Sequence, residues 1–388
     1  MVTGVPSFTV AGPLEGVRVV ELAGIGPVPF AGMVLADLGA DVVRVDRIEP
    51  APLAELSTMG PTGRGRRSIA LDLKQAAGRE VVLRLVANSQ ALIEGFRPGV
   101  MERLGLGPED CLAVNPMLVY GRMTGWGQEG PRAMTAGHDI NYLAVTGTLS
   151  AIGPAAQPIP PLNLVADYGG GAMLLLVGIL SALDHVRRGG RGQVVDAAMV
   201  DGVALLTAAT RGGLAAGWWE DHRHHNLLDG GAPFYRTYQT ADGGFVAVGA
   251  LEPQFYLAFL KGLGLDGEDL PAQHDRARWP DLADLFAKAI RERTVVEWDK
   301  VFAGTDACVV PVSSLTEALS DPHLVARQTF MSVDGMAQPS PAPRFSATPA
   351  ISDGVPTAIG SHTSEVLTEL GYTLDEIGKL VEHLVTPG

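Results

Sequence analysis

The sequence predicts an α/β protein in which a large domain is built on a parallel sheet and a smaller domain is of the α+β type. In the first 200 residues, short apolar runs that suit buried parallel strands alternate with segments of helical periodicity. At 388 residues the chain exceeds a comfortable single core, so two domains are expected. After residue 231 the pattern changes, because two β-rich runs flank an Ala-Asp-Gly-Gly turn that is a strong hairpin signal.

The large domain opens with a βαβ unit, which predicts a Rossmann-like topology. Residues 17–22 form an apolar run typical of a buried strand, residues 30–38 have helical spacing, and residues 41–46 suit a second strand. The first turn reads Gly-Ile-Gly-Pro-Val-Pro, so Pro29 stands where a dinucleotide-binding turn has its third glycine. Prolines also remove amide donors. We therefore reject a nicotinamide site at this turn and keep the topology.

The remaining elements follow from the same patterns. In the large domain we expect a loop at 48–67, strands at 68–73, 91–96 and 193–197, and helices at 76–87, 99–104 and 168–186. A further helix at 200–217 leaves this domain. In the small domain we expect strands at 234–240, 245–248 and 308–312, and helices at 253–263, 281–292, 294–302 and 315–328. The chain then returns to the large domain through 341–346 and ends in a helix near 373–384. The large domain is thus 1–200 with 330–388, the small domain is 232–329, and 201–231 is a linker helix and loop.

Composition excludes several classes of function. A net charge of −14 and a pI near 5.1 argue against a nucleic-acid or anionic-membrane partner. Cys111 and Cys308 form no CxxC motif, so buried reduced thiols are expected. The histidine cluster His222, His224 and His225 lacks a suitably spaced acidic or sulfur partner, so we predict no metal site.

The sequence also predicts a location. Residues 1–10 lack the basic region and long apolar core of a signal peptide. The most apolar run, 172–183, is too short to span a bilayer and is better explained as a buried helix. A cytoplasmic enzyme is the simplest inference.

The stretch from residue 121 to residue 173 holds the first hint of chemistry. His138 in GHDINY and Asp167 in NLVADYGGG both stand where a Gly/Pro-rich loop meets a helix, and both can move protons near neutral pH. A helix N-terminus offers free amides and partial positive charge to a ligand. Spacing alone leaves the ordinary alternatives open, namely a surface histidine and an aspartate that caps a helix.

Several segments resemble the class III CoA-transferase family. They are VRVVELAGIGP (17–27), LGADVVRVDR (38–47), FRPGVMERLGL (96–106), GQVVDAAMVDG (192–202) and the segments of His138 and Asp167. The most specific matches, MTGWGQEGPRAMTAGHDINY and GALEPQFY, are similar to a racemase branch of the family. The resemblance spans about residues 12–346 and weakens towards the C-terminus. It implies the Rossmann-like fold, no metal or redox cofactor, and an interlinked homodimer.

The resemblance implies an activity and the residues that carry it. The activity is interconversion of (R)- and (S)-2-methylacyl-CoA thioesters by 1,1-proton transfer through an enolate. His138 and Asp167 would be the two bases, one on each face of the α-carbon. Asn163 would orient Asp167, backbone amides around Asp167 and Gly169 would receive the enolate oxygen, and Glu252 in GALEPQFY would hydrogen-bond the histidine. Because Glu252 lies in the small domain, the dimer would complete the site across two chains.

The resemblance also implies a binding surface for coenzyme A. The implied contacts are Arg47, Leu71, Asp72, Leu73, Lys74, Gly95, Phe96, Arg97, Arg103, Gly137, Asp139, Ile140, Asn141 and Tyr142. Leu71 departs from the smaller residue expected there. With Arg64, Arg66 and Arg67, the basic members of this set would form a basic patch for the CoA phosphates, and a salt-bridged face is the alternative. Met199 is a candidate contact for the acyl chain.

Two rival functions remain at this point. A CoA transferase of the same family would use Asp167 as a nucleophile, forming acyl anhydrides and an aspartyl-CoA thioester. His138 argues against it, since a transferase needs no second base. A non-catalytic CoA-binding or scaffold protein is the third possibility, and the intact set of His138, Asp167 and Glu252 argues against that one.

Overall fold

The computed structural model describes residues 12–49, 60–350, 352 and 354–384. The part of the predicted loop at 50–59 and the N-terminal segment 1–11 lie outside the described residues. The chain divides into two compact units. Unit 1 is Met1–Val145, Leu162–Leu206 and Val325–Gly388, and unit 2 is Thr146–Pro161 and Thr207–Leu324.

A six-stranded parallel sheet forms the centre of unit 1, so the predicted Rossmann-like large domain is confirmed. Its strands are β1 (Arg18–Leu22), β2 (Asp41–Asp46), β3 (Arg66–Ala70), β4 (Ala91–Glu94), β5 (Val119–Thr124) and β6 (Gln193–Ala198). They lie in the order β3-β2-β1-β4-β5-β6, so the direction of winding reverses between β1 and β4. The loops that leave β1 and β4 open a crevice at this point, which is where ligands of open α/β sheets bind.

Strand β5 was not predicted from the apolar pattern. Its apolar run is interrupted by Gly121 and Arg122, which weakens the strand pattern. Gly121 is required there because a Cβ would lie 2.8 Å from Ile179 Cδ1 of the helix packed on the sheet.

Helices cover the sheet of unit 1. They are α1 (Pro27–Asp37), α2 (Ala76–Ala87), α3 (Val100–Arg103), α4 (Pro108–Val114), α5 (Asp139–Val145), α6 (Met173–Arg187), α7 (Met199–Leu206), α13 (Thr363–Glu369) and α14 (Leu374–Leu384). A two-stranded ribbon, β10 (Phe330–Val333) and β11 (Met336–Pro339), also belongs to this unit. The apolar core contains Val20, Val43, Leu85 and Leu92, which are fully buried.

A π-helical segment, Leu164–Ala172, runs directly into α6. The helical structure therefore begins four residues before the predicted start at residue 168. Glycines allow this segment to lie against α7, because a Cβ on Gly202 would overlap the Gly170 carbonyl. The predicted helix 200–217 is wrong as a single element, since it is split between α7 and α8 (Ala208–Ala216).

Among the described residues, one helical stretch, Leu164–Arg187, is long and apolar enough to cross a membrane by length and composition, with a mean hydropathy of 1.7. The prediction that the apolar run is too short to span a bilayer is therefore wrong as a statement of length. A core helix of a soluble protein passes the same test. In this structure Leu175, Leu176 and Ile179 are buried where α6 packs on β5 and β6. This agrees with the predicted buried helix along that face.

Three of the arginines assigned to a basic patch have structural partners instead, so that part of the prediction is wrong. Arg64 forms a bidentate pair with Asp37, in which Nε lies 3.0 Å from Oδ1 and Nη2 lies 2.6 Å from Oδ2. Arg66 pairs with Glu21 at 3.0 Å, and both side chains are fully buried. Arg67 binds Asp41 at the edge of the sheet and two glutamates of α13. The alternative of a salt-bridged surface also fails for Arg64 and Arg66, which are 1% and 3% exposed.

The C-terminal segment of the chain explains why those arginines are buried. Arg64 also donates to the Gln338 side chain and the Pro339 carbonyl, while the neighbouring Arg44 donates to the Thr357 carbonyl. The returning segment thus covers β2 and β3 and excludes water from their charged side chains.

Unit 2 is an α+β domain, as predicted. Its antiparallel sheet consists of β7 (Tyr235–Gln239), β8 (Phe245–Gly249) and β9 (Val309–Pro311). The described helices of this region after α8 are α9 (Pro253–Leu263), α10 (Trp279–Ile290), α11 (Val295–Phe302) and α12 (Pro322–Ala326), the last at the unit boundary. The predicted hairpin is present, with Tyr235 opposite Gly249. The core is aromatic and contains Phe234, Phe259, Phe286 and Trp298.

The unit boundaries differ from the predicted domain boundaries. Helix α7, placed in the linker by sequence, belongs to unit 1 because it packs on the π-helical segment. Residues 146–161 belong to unit 2, where Arg223 donates to the carbonyls of Ser150, Pro154 and Ala155. The predicted helix 315–328 is wrong, since Pro322 separates a short 3-10 turn, Glu317–Ser320, from α12. Cys111 is buried as expected, whereas Cys308 is exposed and corrects the prediction.

Candidate active site

The loops that follow β1, β4 and β5 enclose a cavity of about 610 Å³. Both predicted bases, His138 and Asp167, line this cavity. Met199, the candidate acyl contact, lines it as well. The switch point of the sheet therefore holds two groups capable of moving protons.

Asp167 lies in the π-helical segment, half-buried in the cavity wall. Burial raises the pKa of its carboxyl, the Asn163 hydrogen bond lowers it, the charge of Asp139 raises it and that of His138 lowers it. The Asn163 contact is a bond of 3.3 Å from Nδ2 to Asp167 Oδ2, so Asn163 lies where the resemblance implies an orienting role. The net effect is a carboxyl that takes up a proton more readily than an ordinary aspartate.

His138 is the last residue before α5 and is exposed to the cavity. Its backbone amide donates to Asn141 Oδ1 at 3.0 Å, and its carbonyl accepts from the Asn141 amide at 2.8 Å. This reciprocal contact fixes the backbone from which the imidazole projects. Asn141 has this local role and lines neither cavity of the site.

Asp139, the next residue, is buried and does not line the cavity. Its Oδ2 accepts the backbone amides of Ala166 and Asp167, both at 2.8 Å. The Asp139 side chain thus joins the start of α5 to the π-helical segment, and the coenzyme A contact implied for this residue stays a prediction. The bond from the Asp167 amide removes that amide from the donors expected for an enolate oxygen, which corrects the expectation for Asp167. The role expected of the Gly169 amide stays a prediction.

The turn after β1, which was rejected as a nicotinamide site, lies beside the carboxylate of Asp167. Gly26 has a φ of 69°, and a Cβ at this position would lie 3.2 Å from Asp167 Oδ2. Pro27 begins α1, so the positive end of that helix dipole lies near the carboxylate. The stacked rings of Phe30 and Tyr168, 4.4 Å apart, join α1 to the π-helical segment.

Aromatic side chains close the side of the cavity next to His138. Trp126 and Tyr142 meet edge to face with ring centroids 4.8 Å apart. Burial, followed by the charge of Asp167, raises the pKa of Tyr142 to about 12. Tyr142 is therefore a neutral phenol at physiological pH, and it remains among the residues that line the cavity.

A second cleft of about 550 Å³ lies beside the first and shares Phe96 with it. The predicted coenzyme A contacts in the second cleft are Arg47, Leu71, Asp72, Leu73, Lys74 and Phe96. Those in the first are Gly95, Phe96, Arg97, Gly137 and Tyr142. Arg103, Asp139, Ile140 and Asn141 line neither. The structure thus brings most of the implied set to two adjoining clefts.

Four exposed cations remain for a phosphorylated ligand. Within the described residues, Arg47, Lys74, Arg97 and Arg103 form no ion pair, in contrast to Arg64, Arg66 and Arg67. Arg103 is on α3, immediately after the loop that carries Arg97. These groups can meet the phosphates of coenzyme A without giving up an internal partner.

Glu252 lies in unit 2, exposed at the N-cap position of α9. It is close to Cys308, which is exposed but partly shielded from water at its thiol, and this shielding and the charge of Glu252 raise the thiol pKa. Its hydrogen bond to the His138 imidazole, across two chains, stays a prediction.

The histidine cluster at 222–225 has a structural role. His222 and His225 meet edge to face with ring centroids 4.1 Å apart, and His225 Nδ1 lies 3.8 Å from Glu220 Oε2. Across the described part of the chain, no group of three or more His, Cys, Asp or Glu side chains is arranged to hold a metal ion.

The fold and the site define a two-domain α/β protein with a histidine and an aspartate in one cavity at a Rossmann switch point. The sequence model of CoA-transferase family III matches residues 14–363, and the chain belongs to this family. It is 50% identical over 376 residues to alpha-methylacyl-CoA racemase of Mus musculus, and 48% identical over 370 residues to that of Homo sapiens, covering 95% of this chain and 96% of each relative.

More distant relatives include a transferase. Succinyl-CoA--D-citramalate CoA-transferase of Chloroflexus aurantiacus is 31% identical over 392 residues, covering 95% of this chain and 96% of that protein. A solved CAIB/BAIF family protein from Brucella suis superposes with a TM-score of 0.78 at 28% identity, covering 93% of this chain and 100% of that one.

Proposed function

We propose that this protein is an isomerase that interconverts (R)- and (S)-2-methylacyl-CoA thioesters. The observation that carries the proposal is the presence of His138 and Asp167 in one cavity at the switch point of the sheet. Similarity supports it, because the relatives named as racemases are 50% and 48% identical while the transferase of Chloroflexus aurantiacus is 31% identical.

The proposed reaction is a proton transfer without net oxidation. One base takes the α-proton of the thioester, the electrons pass to the carbonyl oxygen as an enolate, and the other base returns a proton to the opposite face. His138 and Asp167 exchange protonation states in each turnover. The raised pKa of Asp167 suits this task, since its carboxyl must hold a proton for part of the cycle.

The enolate oxygen needs a donor other than the Asp167 amide. The N-terminal turn of α1 lines the cavity at Gly26 and Val28 and brings the positive end of the helix dipole. We assign enolate stabilisation to this turn. No metal or redox cofactor is needed for such a transfer, and the coenzyme A moiety is part of the substrate.

We assign coenzyme A to the two adjoining clefts. The exposed cations Arg47, Lys74 and Arg97, which line these clefts, would meet its phosphates, and Phe96 would lie where the two clefts join. Arg103 would reach the phosphates from α3, outside the cleft walls. The acyl chain would then extend past Met199 within the larger cavity.

We further propose an interlinked homodimer. Apolar side chains of unit 1 that a second chain would cover are exposed on β6, α6 and α7, namely Met173, Val177, Val194, Leu205 and Leu206, which are 41–60% exposed. In this arrangement Glu252 of one chain meets His138 of the other. The net charge of −14 supports a protein that acts away from nucleic acid and anionic membranes, and we propose a cytoplasmic location.

The family also contains transferases, so the test must separate proton transfer from acyl transfer. A single epimer of a 2-methylacyl-CoA is incubated with the protein in deuterated water, and a parallel sample contains a free carboxylic acid acceptor. The proposal expects loss of optical purity, incorporation of deuterium at the α-carbon and no acyl exchange. Retained configuration with movement of CoA to the acceptor would make Asp167 a nucleophile and the protein a transferase.

A further inference from the structure

The carboxylate of Asp139 has an unusual environment for a charged group. The residue is 6% exposed, and its Oδ2 accepts two backbone amides, from Ala166 and Asp167, at 2.8 Å each. Its Oδ1 is buried and has no hydrogen-bond partner among the described residues. Asp139 forms no ion pair with a described cation, so its charge is balanced only by amide dipoles.

The position of Asp139 links the two proposed bases. It follows His138 directly in the chain, and its carboxylate binds the amide of Asp167, 28 residues later. A shift of the Asp139 side chain would therefore move the backbone of one base relative to the other. Helix α5 is anchored at this end also by Asn141, which binds the His138 amide.

We propose that Asp139 is a positioning residue that holds His138 and Asp167 in register and keeps Asp167 able to carry a proton. The inference rests on the two-base function proposed above. Two effects of one carboxylate are involved. Its oxygen fixes the distance between the backbones of the two bases, and its negative charge disfavours a second negative charge on Asp167.

The charged groups around Asp167 support this assignment. Those that act on its pKa are Asp139 and His138, and Tyr142 of α5 lies within the electrostatic reach of Asp167. The other elements packed on the π-helical segment carry Asp37 (α1), Arg122 (β5), Asp184, His185 and Arg187 (α6), Asp196 (β6) and Asp201 (α7). Of these, Asp37 and Arg122 are held in ion pairs with Arg64 and Glu94. Asp139 is thus the carboxylate that faces Asp167.

Two substitutions separate the roles of Asp139. Asp139→Asn keeps an oxygen that can accept both amides and removes the charge, whereas Asp139→Ala removes both. Asp299→Asn is the matched control, because Asp299 is exposed on α11 in unit 2. Thermal unfolding of each variant checks that the fold is kept.

The first measurement does not depend on activity. The carboxyl of Asp167 is titrated by NMR in protein labelled at aspartate Cγ, with Asp167→Asn used for assignment. In Asp139→Asn the midpoint should fall by about half a pH unit or more, because the like charge is gone. The control should leave it unchanged. An unaltered Asp167 midpoint in Asp139→Asn would overturn the electrostatic role.

The second measurement follows racemisation. The acid limb of the pH profile of kcat/KM should move to lower pH in Asp139→Asn, with KM unchanged. In Asp139→Ala, kcat should fall by about 100-fold because the bases are misplaced. The ratio of α-deuterium incorporation to inversion should rise, since one base still exchanges the proton. A normal kcat in Asp139→Ala would overturn the positioning role.

The two measurements distinguish the failure of this inference from the failure of the proposed function. If the Asp167 titration shifts but the unaltered protein does not racemise its substrate, the link between Asp139 and Asp167 stands and the racemase proposal fails. If the unaltered protein racemises and neither the titration nor the profile moves, the inference about Asp139 fails alone.

Discussion

Two groups of buried carboxylates in unit 1 differ in what balances their charge. Beneath the C-terminal segment, Glu21 and Asp37 are each paired with an arginine. In the cavity wall, Asp139 and Asp167 are held by backbone amides and by Asn163. A guanidinium fixes the charge of the carboxylate that it pairs with, whereas Asp167 has no such partner and its carboxyl can take up a proton under the influence of the Asp139 charge. The first group is structural, and we expect the second to be functional.

The largest effect on stability is expected at Arg66. Arg66→Ala leaves the Glu21 carboxylate buried without its partner, and the free energy of unfolding should fall by about 3–5 kcal/mol. Urea denaturation followed by circular dichroism measures it. Arg67→Ala, at the partly exposed edge of the sheet, is the control and should cost about 1 kcal/mol or less. Equal losses of unfolding free energy in the two variants would contradict the larger structural role assigned to the buried Arg66–Glu21 pair.

A smaller free-energy effect, on activity rather than on folding, is expected at Gly26. Gly26→Ala places a Cβ 3.2 Å from Asp167 Oδ2 and forces alanine into a left-handed backbone. Racemisation should fall by about 100-fold, because the carboxylate is displaced from its working position. Gly16→Ala is the matched control, since Gly16 has a φ of 79° but nothing within 4 Å of the added Cβ.

The two glycine variants separate strain from steric displacement. Both should lose about 1 kcal/mol of stability from the backbone conformation. Only Gly26→Ala should lose activity. Similar racemisation rates in both would show that the turn does not constrain Asp167.

The smallest expected effect is the pH dependence of stability at Asp167. Its pKa in the folded protein is raised, so the folded state binds more protons than the unfolded chain between the two pKa values. Stability from this group is therefore lost as pH rises through that window. Asp167→Asn should raise the midpoint of thermal unfolding at pH 7, and the gain should disappear below about pH 4. A lower midpoint of thermal unfolding in Asp167→Asn at pH 7 would contradict the predicted direction of the effect.

Elements determined by local pattern were predicted from the sequence, whereas features that depend on distant segments were missed. Apolar runs predicted β1 and β2, and the hairpin signal predicted β7 and β8, because local pattern determines these elements. Strand β5 was missed since Gly121 and Arg122 break its pattern, and only the packing of α6 explains the glycine.

The partners of the buried arginines were harder to predict than strand β5. Arg64 and Arg66 were assigned to a ligand because nothing local shows that residues 338–339 and 356–357 fold back onto them. The role of Asp139 was missed for the same reason, as its partners are 27 and 28 residues away. His138 and Asp167 were singled out by their positions at loop-to-helix junctions and given roles by the family resemblance, and the fold brings them to one cavity.

The central claim is that His138 and Asp167 act as two bases on opposite faces of one carbon. The most direct test measures racemisation of each pure epimer in deuterated water by His138→Ala and Asp167→Ala, with coenzyme A affinity measured in parallel. The account predicts that each variant loses epimerisation by about 1,000-fold or more while its affinity for coenzyme A changes by less than about threefold. Near-normal turnover in either variant would contradict the two-base assignment.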